Sequence, residues 1–374
     1  METSQPLSLL GGLTPRQFMK RHWQKKPLLV RGAIAGFRPL VDRSELFALA
    51  ARDDVESRLI ALAKGTWTMR RGPLARRALP PLARPGWTLL VQGLDLLEER
   101  AHGLLRQFSF LPHARLDDVM VSYATDGGGV GPHFDSYDVF LLQAQGRRRW
   151  RIGRQDDLRL RDDLPLKVLA NFEPEEEYVL EPGDMLYLPP RYAHDGVALG
   201  ECQTYSIGFR APARGELAQE LLQRIAEDAA GAAGEALYAD PKQGATETPG
   251  ELPGALAKFA DDAVRAALKD PLVLERALGE YLTEPKASVW FESGPAKLPA
   301  KGLALDRRTR MMYDAKHVFI NGDSYRASGR DAKLMQALAD QRCLGAHALA
   351  NASSDAKSLL LSWCEAGWAH ARKA

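Results

Sequence analysis

Cys202, Cys343 and Cys364 are the only cysteines in 374 residues. They lie far apart and form no CxxC pair, which excludes a disulfide scaffold and fits the reduced thiols of a cytosol. No apolar run approaches the ~20 residues that a membrane span needs. The opening METSQPLSLLGG has neither a basic segment nor a long apolar stretch, so no export signal is expected. Charge of either sign is not in excess either. Fifty Lys and Arg stand against 48 Asp and Glu, so no global field draws in nucleic acid or anionic lipid. There is no internal repeat and no low-complexity tract beyond an alanine bias. These absences predict a cytoplasmic protein with no membrane partner, and nucleic acid is not an expected partner.

The remaining composition, 45% hydrophobic and 26% charged, is that of an ordinary globular chain long enough for two or three domains. Thr14-Pro15 reads as a helix N-cap followed by proline at the first helical position, and KPLLVRG reads as a strand. From Val55 to Arg210 short apolar or alternating runs are broken by Gly, Pro and Asp, as in WTLLVQGL, DDVMVSYA and EEYVLEPGDMLYLPP. That spacing predicts an all-β barrel or sandwich. After Pro212 the texture changes to alanine-rich helical stretches around a polar loop, ADPKQGATETPGELPG. Apolar stripes outside a barrel need cover, and a homodimer interface is expected to provide it, the alternative being packing on their own barrel. From about residue 286, two strand-like runs around Asn321-Gly322-Asp323 and two helical runs are compatible with a winged helix. The run DAKLMQALADQ has one lysine and two aspartates, which favours protein contact over nucleic-acid reading.

The chemistry gathers at GGGVGPHFDSYD. If extended, an H-x-D sequence places His133 and Asp135 side by side. A third ligand can come from His194, which follows the apolar strand of PGDMLYLPPRYAHDG. Two histidines and one carboxylate make the facial triad of non-haem iron oxygenases, although zinc would accept the same ligands. The other six histidines lack ligand-like neighbours and read as structural or exposed. In GRRRWRIG, strand parity puts Arg148 on the face of Trp150 and Ile152, opposite Arg147, Arg149 and Arg151. A guanidinium on an interior face is costly unless it meets an anion or several acceptors, which makes a carboxylate-bearing ligand attractive; the alternative is a surface arginine on an edge strand.

These barrel motifs, with YSIGFRAP after them, resemble the JmjC-type 2-oxoglutarate oxygenases, and among these the bacterial ribosomal oxygenases that hydroxylate an arginine of large-subunit ribosomal protein number sixteen. The likeness spans nearly the whole chain, though the last 160 residues or so match in layout more than in residues. It implies an α+β protein: a double-stranded β-helix of the cupin/JmjC type in residues 1–211, a helical dimerisation region in 212–285 and a winged-helix-like module in 286–374. It implies Fe(II) held by His133, Asp135 and His194, with 2-oxoglutarate and O2 as cosubstrates. Arg148 and Ser122 would bind the distal carboxylate of 2-oxoglutarate, while Asp118, Met120 and Tyr137 would receive the substrate arginine for hydroxylation at its β-carbon. Where close relatives have an asparagine this chain has Thr204, to which no role is assigned. Two other readings stay open: a cupin metalloenzyme that does not use 2-oxoglutarate, and a non-catalytic winged-helix protein that binds nucleic acid.

Overall fold

A computed structural model describes residues 2–372. Thr14 caps the first helix, α1 (Pro15–Arg21), in a reciprocal capping box with Gln17. Strand β1 (Leu28–Val30) and helix α2 (Arg43–Ala50), the latter capped by Asp42, lead into the barrel strands. These are β2 (Ser57–Ala63), β3 (Thr66–Arg71) and β4 (Trp87–Val91), followed by two short helices, α3 (Leu94–Leu97) and α4 (Glu99–Arg106). The barrel continues through β5 (Leu116–Ala124), β6 (Asp138–Gly153), β7 (Glu176–Leu180), β8 (Met185–Leu188) and β9 (Ala193–Phe209). Helices α3 and α4 interrupt the Val55–Arg210 region, whose pattern reads mostly as strands.

The strands join in the order β1-β8-β6-β9-β5-β4-β2-β3, with β7 also on β6. The long β6 is bordered by β8 along its first half and by β7 along its second, with β9 on its other side. Between Gln143 and Arg147 the register of β6 on β9 shifts, around Gly146 at φ +61°. This bulge changes which side chains face inward. Before it Val139 and Leu141, and after it Trp150 and Ile152, belong to one buried cluster with Leu180, Leu186 and Leu188. The alternate residues, Phe140, Leu142 and Ala144, join the larger core of Phe18, Trp87, Tyr123 and Tyr205.

The chain separates into two compact units, one ending at Ala211 and the other beginning at Pro212. The second opens with α5 (Arg214–Ala233), α6 (Gly254–Ala267) and α7 (Val273–Thr283). Strand β10 (Gly302–Leu305) then precedes the three-stranded meander β11 (Met311–Tyr313), β12 (His317–Ile320) and β13 (Asp323–Arg326). Asn321 and Gly322, both at positive φ, make the turn between β12 and β13. Next come α8 (Gly329–Gln341), β14 (Cys343–Gly345), α9 (Ala346–Ala350), α10 (Ser354–Glu365) and β15 (Ala369–Ala371). A core of Leu303, Ile320, Leu338, Leu360 and Trp363 fills the part of this unit after α7, while Ile225, Val273 and Ala277 form a separate small cluster among α5 and α7. Among the described residues, no helix is long and apolar enough to cross a membrane.

Candidate metal centre

Among the described residues, one group of side chains has the makeup of a metal site: His133, Asp135 and His194, whose ligand atoms all lie within 4.8 Å of one another. Only His194 comes from a regular strand, at the start of β9. His133 pairs with it through a single antiparallel bridge, and Asp135 lies in the irregular segment beyond. The strand geometry expected of H-x-D is therefore replaced by a loop laid against β9. The glycines explain how the loop comes so close. A Cβ at Gly129 would sit 2.6 Å from the Gly196 carbonyl oxygen, and Gly131 has φ +78° between Trp67 and Val168.

Each imidazole is oriented by a backbone carbonyl two residues earlier. Nδ1 of His133 lies 2.8 Å from the Gly131 carbonyl oxygen, and Nδ1 of His194 lies 2.9 Å from that of Tyr192. With Nδ1 donating, Nε2 is left as the lone-pair nitrogen, the arrangement in which a carbonyl fixes the tautomer of a metal-binding histidine. Nε2 of His194 is 3.7 Å from Asp135 Oδ2. Burial and the neighbouring His133 lower the His194 pKa to about 4, so it is neutral, the form that binds metal.

Trp150 continues the site. Its ring centroid is 5.9 Å from that of His194, and the Arg148 guanidinium carbon is 5.7 Å from the Trp150 ring. Register places Trp150 opposite Gly196, where a Cβ would enter the indole ring. Arg148 is only 4% exposed, whereas Arg147 is exposed, as strand parity predicts. Its Nε and Nη2 have no hydrogen-bond partner, and neither does the buried Ser122 Oγ. Unpaired donors of this kind are costly without an anion to receive them. A small dicarboxylate chelating the metal at one end and meeting Arg148 at the other fits that requirement.

Ser122 pairs in register with Thr204, and Thr204 with Gln143. The Thr204 hydroxyl donates to Gln143 Oε1 at 2.8 Å, and the Gln143 amide donates to the carbonyls of Gln145 and Gly146. Thr204 thus ties β9 to the bulge that turns Arg148 inward. Asp118 and Met120 share the β5 face with Ser122. Asp118 is buried and accepts from Gln92 Nε2 and the Gly93 amide. A Cβ at Gly208 would lie 3.7 Å from Asp118 Oδ1 and 3.8 Å from Tyr137 Cε2, so these two side chains converge over a glycine. Burial, then the nearby Asp135 and Asp118 carboxylates, push the Tyr137 hydroxyl well above its usual range and keep it protonated. Sequence reasoning missed Gln92 and Arg58, whose Nη2 reaches Gln92 Oε1 at 3.0 Å and the Met120 sulfur at 4.0 Å. No spacing signal links residues so far apart in the chain.

Residues 103–217 match the JmjC domain model, and residues 266–370 match the ROXA-like winged helix. The first match places a JmjC domain within the barrel. The fold is the cupin-type barrel of that domain, followed by a C-terminal winged helix. The chain is 41% identical over 214 residues to the ribosomal protein uL16 3-hydroxylase of Escherichia coli, an alignment covering 55% of this chain and 56% of that one. It is 36% identical over 211 residues to a probable ribosomal oxygenase of Haemophilus influenzae, covering 54% and 50%. These alignments therefore span about half the length of the curated relatives. The X-ray structure of E. coli YcfD superposes with a TM-score of 0.81 at 29% identity, over 96% of this chain and 98% of that one. A YcfD structure in complex with cobalt and 2-oxoglutarate gives a TM-score of 0.79, with the same identity and coverage.

Proposed function

We propose that this protein is a 2-oxoglutarate- and Fe(II)-dependent hydroxylase acting on an arginine of ribosomal protein uL16, at the β-carbon. The observation that carries the reading is the buried Arg148, whose Nε and Nη2 lack partners beside two histidines with Nε2 set aside for a metal. The naming of the E. coli relative as a uL16 3-hydroxylase, and the binding of cobalt and 2-oxoglutarate by YcfD, support it.

His133, Asp135 and His194 would hold iron. When bound, iron with 2-oxoglutarate and O2 supplies the oxidising power for C–H hydroxylation. The protein supplies placement. Arg148 and Ser122 would hold the distal carboxylate of 2-oxoglutarate, and the Trp150 ring walls the space between Arg148 and His194. Asp118 would meet the substrate guanidinium, while Met120 and Tyr137 grip its stem and fix the β-carbon toward the metal.

The helices α5 to α7 serve as a homodimer interface, and the C-terminal module as a protein-contact surface, in a cytoplasmic enzyme. Leu222, Val264 and Leu274 are exposed on those helices, and Leu268 just after α6, which supports the first point. The deciding test is mass spectrometry of ribosomal proteins incubated with this protein, Fe(II) and 2-oxoglutarate. A gain of one oxygen on a uL16 arginine, absent without 2-oxoglutarate, is expected. No gain on any ribosomal protein refutes the assignment.

A further inference from the structure

The near-balance of total charge conceals a local imbalance. Residues 57–94 contain seven basic side chains and no acidic one, whereas the rest of the chain has 43 basic against 48 acidic. Six of the seven, Lys64, Arg70, Arg71, Arg76, Arg77 and Arg84, are exposed, and none forms an ion pair among the described residues. The seventh, Arg58, is the residue that reaches Met120.

The fold joins these charges to the mouth of the candidate site. Strand β3 ends the sheet order and pairs only with β2, so its outer edge is open. Arg71 is the register partner of Arg58 and shares a face of β3 with Met69 and Trp67. Trp67 in turn packs beside Gly131, in the loop that carries His133: a Cβ there would lie 3.1 Å from its ring. Arg70 turns to the other face and donates to the Ala78 carbonyl at 3.2 Å. That contact seats it beside the short 3-10 turn formed by Arg76, Arg77 and Ala78. Guanidinium charge thus lies on both faces of the edge strand β3, and Arg58 on the neighbouring β2 carries it to Met120. The acidic residues just upstream are partly engaged, Asp54 by Arg52 and Glu56 by Arg58.

We infer that this edge is a docking surface for the phosphate backbone of RNA that accompanies the protein substrate. The inference rests on the proposed action on a ribosomal protein. Such a substrate is itself cationic and RNA-binding, so when free it is repelled by a stripe of this sign. A substrate delivered with its RNA is drawn in by it. Arginine, which makes up six of the seven charges, also has the planar fork that pairs with phosphate oxygens. An acidic protein segment is the competing occupant.

The test uses the full chain and a labelled single-stranded RNA of mixed sequence, followed by fluorescence anisotropy across a salt series. Salt-sensitive binding is expected. Changing Arg70, Arg71, Arg76 and Arg77 together to Gln should weaken it about tenfold or more and flatten the log–log salt slope by roughly 3. The pair Arg71→Gln and Arg77→Gln, which spares the Arg70 hydrogen bond and the packing of Arg76 on Phe47, should give a proportionate part of that change. Turnover of an isolated uL16 peptide, measured in parallel, should need Asp135 but none of the four arginines. RNA binding without peptide turnover would refute the hydroxylase reading alone. RNA binding that is absent, unchanged in both variants, or displaced more readily by polyglutamate than by unlabelled RNA overturns the docking surface.

Discussion

The peptide groups of His133 and His194 hydrogen-bond to each other, His133 N to His194 O at 2.9 Å and His194 N to His133 O at 2.8 Å. Residues paired in this way present their side chains on the same side, and the two imidazole centroids stand 4.2 Å apart. The ligand pair is thus fixed by backbone, while Asp135 enters from a partly exposed loop. Asp135→Ala should therefore abolish 2-oxoglutarate turnover and sharply weaken binding of Co(II) in calorimetry, with thermal unfolding little changed. Retention of full activity would rule the ligand set out.

Arg148 distinguishes a 2-oxoglutarate site from other metal sites. Arg148→Ala should lose about 2–4 kcal/mol of cosubstrate binding, which raises the apparent KM for 2-oxoglutarate roughly 30- to 1000-fold. Lysine should recover only part, since it keeps the charge without the fork. Arg147→Ala, on the exposed face, should leave that KM near its starting value. Equal sensitivity at both positions would remove Arg148 from the role.

Thr204 holds Gln143 across the bulge. Thr204→Val leaves Gln143 Oε1 buried without its donor and should cost about 1–3 kcal/mol in denaturant unfolding. Thr204→Ser, which keeps the hydroxyl, should cost much less. Because the bulge sets the direction of Arg148, the valine variant should also raise the KM for 2-oxoglutarate; a stability loss with KM unchanged would limit Thr204 to packing.

The exposed apolar side chains of α5 to α7 predict self-association. Light scattering at micromolar concentration should report about twice the 41.3 kDa chain mass. Leu222→Glu with Val264→Glu should return a monomer that remains folded. A monomeric parent protein would contradict the dimer.

In the second unit, burial opposes ionisation of Asp306, but hydrogen bonds from His370 and Arg308 outweigh it and hold the carboxyl well below its usual range. A depressed carboxyl stabilises the fold above its unfolded-state pKa, about 4, and this contribution fades as pH falls through the folded value. The thermal stability of the unit should therefore fall below about pH 4. Asp306→Asn should be less stable at pH 7 and show a shallower acid dependence. An unchanged acid profile would place the effect on other carboxyls.

Local patterns were enough for much of this protein. The cap at Thr14, the strand texture of the barrel, the helical shift after Pro212 and the turn at Asn321-Gly322 depend on side-chain period and backbone preference within a few residues. Parity alone put Arg148 inside, because alternation in a strand is a local property. Helices α3 and α4 escaped notice because they are short and sit among strand-like runs. What only the tertiary structure decided lies in contacts across strands. The bridge that brings His133 to His194, the Thr204–Gln143 bond and the reach of Arg58 to Met120 join residues distant in the chain. Register and bulge placement come from how whole strands pack, and no window of sequence contains that information. The charges of residues 57–94 show the same division: their sign is written in the sequence, but only the reach of Arg58 to Met120 and the packing of Trp67 beside Gly131 connect them to the candidate site.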